Sequence, residues 1–86
     1  MRYKVKFIIA GHEVLVTART SSLQEVLSCS RKTAMLFSEC KDRWKIVVAR
    51  EDGKPIMSYV GGNKPKPVYT AIDHVTKERK TYYTGA

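Results

Sequence analysis

Apolar and polar residues alternate from the start of the chain. Tyr3, Val5, Phe7 and Ile9 fall on one side of an extended backbone, and Arg2, Lys4, Lys6 and Ile8 on the other, because successive side chains of a strand point to opposite faces. The pattern predicts a half-buried strand. Gly11 and His12 offer a tight turn with glycine at its first central position, and Val14 to Ala18 reads as the returning strand. That turn would pair Ile9 with Val14, Phe7 with Val16 and Val5 with Ala18 on the apolar face. On the opposite face it would set Lys4 against Arg19, Lys6 against Thr17 and Ile8 against Leu15.

The period then changes. In "TSSLQEVL", Ser22 stands where a helix N-cap belongs, with Glu25 in the capping-box position. Leu23, Val26 and Leu27 begin an apolar stripe that continues through Ser30, Ala34 and Phe37, which predicts one helix reaching about Lys41. A break near Ser28 to Ser30 is the alternative, since serine side chains compete for backbone hydrogen bonds. A continuous helix would hold Cys29 and Cys40 ~16 Å apart, beyond disulfide reach.

Alternation returns at Trp44 to Arg50, with Trp44, Ile46 and Val48 on one face. Asp52 and Gly53 form the next turn signal, and "PIMSYV" returns so that Val48 faces Met57 and Ile46 faces Tyr59. The stretch 61–67, with Gly61, Gly62 and "KPKP", reads as a connector, because its prolines lack amide donors. Val68 to Val75 is strand-like, Thr76 to Arg79 is turn-like, and Lys80 to Thr84 can return along it. Tyr69, Tyr82 and Tyr83 supply enough β-forming character to favour a C-terminal hairpin over a disordered basic arm.

The predicted fold is α+β: an antiparallel β-sheet of successive hairpins with one main helix on one face, ββαββ followed by a C-terminal β-hairpin. Residues 1–86 are expected to form a single compact domain. The longest apolar run near the N-terminus, Phe7 to Ala10, is too short for a signal-peptide core or a membrane span. The expected location is therefore cytoplasmic. The two cysteines fit no metal-ligand spacing and are read as buried free thiols.

Charge adds the functional expectation. Sixteen Lys and Arg against eight Asp and Glu give a net charge of +8, which draws polyanions through long-range attraction. Arg2, Lys4, Lys6 and Arg19 are expected on one face of the first hairpin. Lys77, Arg79 and Lys80 would extend the track, with Tyr82 or Tyr83 placed to stack on a base. Catalytic chemistry finds little support: His12 and His74 have no nucleophile or metal-ligand companion at recognisable spacing, and the glycines make no phosphate loop. No catalytic residue, metal or cofactor is assigned.

The leading expectation is a small basic non-enzymatic nucleic-acid-binding protein that grips RNA or DNA mainly by phosphate contacts. The alternative is a small protein inhibitor or adaptor, of the kind mobile elements encode, that docks on an acidic or hydrophobic protein surface. Ile8 and Leu15, apolar among the outer cations, are its interface candidates, and a homodimer is one form it could take.

Overall fold

The computed structural model describes residues 2–37, 40–62 and 68–83. Its elements run β1 (Lys4–Ile9), β2 (His12–Thr17), α1 (Leu23–Phe37), β3 (Trp44–Ala49), β4 (Pro55–Gly61), β5 (Val68–Asp73) and β6 (Arg79–Tyr83). The six strands form one antiparallel sheet in the order β2-β1-β3-β4-β5-β6, with the helix against the central strands β3 and β4. The fold is α+β, and the C-terminal segment is part of the sheet.

The first hairpin departs from its expected register. Its central residues are Ala10 and Gly11, both at positive φ (49° and 85°), and Ile9 lies opposite His12. Two left-handed residues define a type I′ turn, whose twist matches that of the flanking strands. Pairing with β3 helps fix the turn here, since the Ala10 N–H donates to the Arg43 carbonyl at 3.2 Å. Every β2 partner is therefore displaced by two residues from the expected pairing. An even displacement preserves the faces, so Val5, Phe7 and Ile9 still point inward. Lys4 now faces Thr17 instead of Arg19, Lys6 faces Leu15, and Ile8 faces Glu13. The displacement relieves a cation–cation pairing and brings Lys6 Nζ to 3.0 Å from Glu13 Oε1.

The helix is continuous through Ser30 and ends at Phe37, short of Lys41. Ser22 caps it by accepting the Glu25 N–H at 3.4 Å, while the Ser22 N–H donates to Thr20 Oγ1 at 3.1 Å. Thr20 thus takes the donor that a capping box would give to the Glu25 side chain. Val26, Ser30 and Ala34 are buried along the inward stripe. Phe37 makes edge-to-face contacts with Phe7 (6.3 Å) and Trp44 (5.7 Å). These anchor the last helical turn to β1 and β3. Cys29 and Cys40 are free but exposed, not buried. Cys29 lies beside the buried stripe and Cys40 lies beyond the helix.

The β3–β4 hairpin keeps the expected pairs Val48 with Met57 and Ile46 with Tyr59 by an unexpected route. Its loop comprises Glu51, Asp52 and Gly53, closed by Gly53 N–H to Arg50 C=O (2.9 Å) and Arg50 N–H to Lys54 C=O (2.8 Å), with Gly53 at φ 92°. Such a loop alone would turn β4 over. Ala49 pairs with Pro55 and Val48 with Met57, leaving Ile56 as an extra residue that restores the register.

The core consists of Val5, Val26, Ala34, Trp44, Ile46, Val48, Tyr59 and Tyr69, between the helix and the inner face of the sheet. Tyr59 and Tyr69 meet edge-to-face at 6.0 Å, and Tyr82 stacks on Tyr69 at 5.0 Å. One helix covers only the middle of one face, and among the described residues no helix or strand packs over the opposite face.

Candidate nucleic-acid interface on the open sheet face

Strand pairing determines what the uncovered face presents. One row across it reads Glu13, Ile8, Lys45, Val60, Thr70 and Thr81, and the next reads Leu15, Lys6, Val47, Ser58, Ile72 and Arg79. Thr17, Lys4 and Ala49 begin a third. All these side chains are aliphatic, hydroxylic or charged.

Lys4, Lys6 and Lys45 occupy neighbouring strands at one side of this face, and Arg79 lies on β6, four strand spacings (~19 Å) from β1 and three (~14 Å) from β3. Lys45 is a candidate residue that the sequence reading missed. Its signal was present, because it alternates with Trp44 and Ile46 and so must point away from the core. What was missing was the β1–β3 pairing, which joins strands distant in sequence and puts Lys45 opposite Ile8. Lys6 is paired with Glu13, but both side chains are about half exposed (43% and 53%). Such an ion pair contributes little and can exchange for a phosphate.

The remaining expected residues divide. Arg2 is exposed just before β1. Arg19 lies past the end of β2 and borders the groove between α1 and the first hairpin, on the helix side, along with Val16 and Val26. It therefore does not join Lys4. Lys77 sits in the β5–β6 turn at φ 67°. Arg79 and Lys80 are adjacent strand residues and face opposite ways: Arg79 pairs with Ile72 on the open face, and Lys80 with Ala71 on the helix side. Tyr82 is also on the helix side, with one ring face against Tyr69. Tyr83 pairs with Val68 in the ladder. Ile8 and Leu15 share the open face as diagonal neighbours, not as the expected direct pair. Most of the 61–67 connector lies outside the described residues, although Gly61 closes β4.

At one end of the open face a shallow cleft of about 520 Å³ is bordered by Ile8, Arg43, Lys45, Val60 and Thr70. Gly62, at φ 93°, completes its wall, where a Cβ would overlap the Asp42 carbonyl. The cleft thus combines an aliphatic floor with two cations at its edge.

The polar groups elsewhere serve the fold. Burial raises the Tyr59 and Tyr69 phenols above their usual range, opposed by the Arg31 charge on the helix. Both remain neutral hydrophobic bodies at physiological pH. The Asp73 carboxylate accepts the Val75 and Thr76 N–H groups at 2.9 and 3.1 Å, which lowers its pKa. His12 and His74 sit on β2 and just past β5, strands ~19 Å apart across the sheet, so folding does not bring them together. His74 instead finds Ser58, whose hydroxyl is 2.7 Å from Nε2. Ser58 belongs to an open-face row, but with His74 against its hydroxyl it is only 1% exposed, which gives no approach for a substrate.

Among the described residues no group of three or more His, Cys, Asp or Glu is placed to hold a metal. No helix among those residues is long and apolar enough to cross a membrane. No protein-family model matches the chain, and no curated protein or solved structure matches it significantly.

Proposed function

We propose that this protein binds nucleic acid through the open face of its sheet, holding the sugar-phosphate backbone without performing chemistry on it. The observation that carries this reading is the grouping of Lys4, Lys6 and Lys45 on one uncovered face of a chain with net charge +8. Like charges at this spacing repel, and phosphates brought among them relieve the repulsion while releasing counterions. Arg79 and the Arg43 edge of the cleft extend the positive surface. The charged and hydroxylic positions of these rows suit contacts to phosphate and sugar, so sequence preference is weak.

A salt titration with duplex DNA, single-stranded DNA and RNA tests it. Four phosphate contacts on a duplex give a slope of log affinity against log salt of roughly −3.6. Lys4→Glu combined with Lys45→Glu should abolish most of the binding while leaving the circular dichroism spectrum unchanged. Binding that is insensitive to both salt and these substitutions would reject the proposal.

A second reading follows from Ile8, Val47, Val60 and Ile72, aliphatic residues set between the cations. A protein partner with an apolar centre and an acidic rim would fit the same face. Its salt dependence would be shallower, and Val60→Asp would weaken it more than Lys45→Gln.

A further inference from the structure

The two edges of the sheet differ in chemistry. β6 carries Arg79 and Lys80, cations of the kind that keep an edge from pairing with other chains. β2 carries no cation, proline or bulge, and all six of its residues are exposed. Val14, Leu15 and Val16 make an uninterrupted apolar run along it, 57%, 57% and 45% exposed.

The backbone of β2 has a defined free side. Ala18 N–H donates to the Tyr3 carbonyl at 2.8 Å, so in this antiparallel ladder Val16, Val14 and His12 also direct their backbone groups toward β1. The N–H and C=O groups of Glu13, Leu15 and Thr17 therefore face outward.

That edge is complementary to itself. Antiparallel pairing about Leu15 sets Leu15 against its own copy, Val14 against Val16 and Glu13 against Thr17, and uses all the free groups in about six hydrogen bonds. Charge agrees, since the only formal charge within β2 is Glu13. The pairing places Glu13 in one open-face row with the other copy's Thr17 and Lys4.

We propose that two copies of this chain associate through β2 about a two-fold axis perpendicular to the sheet, forming one continuous twelve-stranded sheet. Both helices then lie on the same side and the two open faces merge. The Lys4 and Lys6 pairs of the two copies stand ~14 Å apart across three strand spacings. The isologous contact consumes the unprotected edge and leaves only the cationic β6 edges, so assembly stops at the dimer. The inference goes beyond the nucleic-acid reading and stands without it.

The experiment measures mass by sedimentation or light scattering, after nuclease treatment and at high salt so that no nucleic acid bridges the copies. The contact is small, so the mass should rise from 9.8 kDa to about twice that only between roughly 1 and 500 μM, as suits a weak interface. Leu15→Lys should keep the protein at single-chain mass throughout, with its circular dichroism spectrum intact because Leu15 is exposed.

Independently, Leu15→Cys in a Cys29→Ser, Cys40→Ser background should oxidise to a covalent dimer, because paired Cα atoms lie ~5.5 Å apart, within disulfide reach. Thr17→Cys in the same background should not, its copy lying ~14 Å away. A single-chain mass at every concentration overturns the proposal. So does a dimer indifferent to Leu15→Lys, equal cross-linking at both positions, or growth beyond two copies.

Discussion

The Ser58 hydroxyl lies 2.7 Å from His74 Nε2, joining the middle of β4 to the segment just after β5. His74 is held from a second direction by its own N–H, which donates to the Ile56 carbonyl at 2.9 Å. Ser58 thus tethers the C-terminal hairpin to the rest of the sheet. Ser58→Ala should lower unfolding free energy by about 0.5–1.5 kcal/mol, and a double-mutant cycle with His74→Ala should show coupling of similar size. Urea denaturation measures both, and additive losses would mean the hydrogen bond contributes nothing.

Ala10 occupies a left-handed conformation, φ 49°, that its methyl group disfavours. Asparagine adopts it more readily and is preferred at this position of a type I′ turn. Ala10→Asn should stabilise the protein by about 0.5–1 kcal/mol. Ala10→Val, β-branched where φ is positive, should destabilise it. A shift of both variants in the same direction would argue against this turn geometry.

Asp73 accepts the Thr76 and Val75 N–H groups, which favours its charged form and holds its pKa below the ordinary 3.8. A carboxylate depressed in the folded state adds stability that is fully present above its unfolded pKa and is lost as pH falls through the folded value. Wild type and Asp73→Asn should therefore differ most at neutral pH and converge below the usual carboxylate range. Thermal melts from pH 7 to pH 2 follow this, and a constant difference across that span would show the charge to be irrelevant.

The faces of the sheet make the proposed interface separable by charge. Lys45 is on the open side and Lys80 on the helix side. Lys45→Gln should reduce the magnitude of the salt slope by about 1 and weaken binding to all sequences alike. Lys80→Gln, which removes the same charge from the chain, should leave the slope unchanged. Equal effects would mean that net charge matters and the open face does not.

Much of the fold was legible because period and turn chemistry act locally. The alternation of Tyr3, Val5, Phe7 and Ile9, the stripe from Val26 to Ala34 and the Ser22 cap each state their element within a few residues. The first hairpin was placed two residues away because Gly11 suits either central position of a tight turn. The choice depended on Ala10 meeting Arg43, a contact from across the sheet. Lys45 was missed for the same reason. Arg79 and Lys80 were read as one track although adjacent strand positions must diverge, a constraint already present in the sequence. The Ser58–His74 contact had no local signal, since it depends on which strands become neighbours.

The extra residue at Ile56 and the additional loop position at Glu51 cancel one another. Loss of either alone would invert everything from Tyr59 to Tyr82, sending the tyrosines outward and Arg79 beneath the helix. Loss of both would leave the wallpaper pattern of the sheet intact. Length changes in this hairpin should therefore be accepted only as matched pairs, which makes Glu51 and Ile56 the joint keepers of which side of the molecule its second half shows to the world.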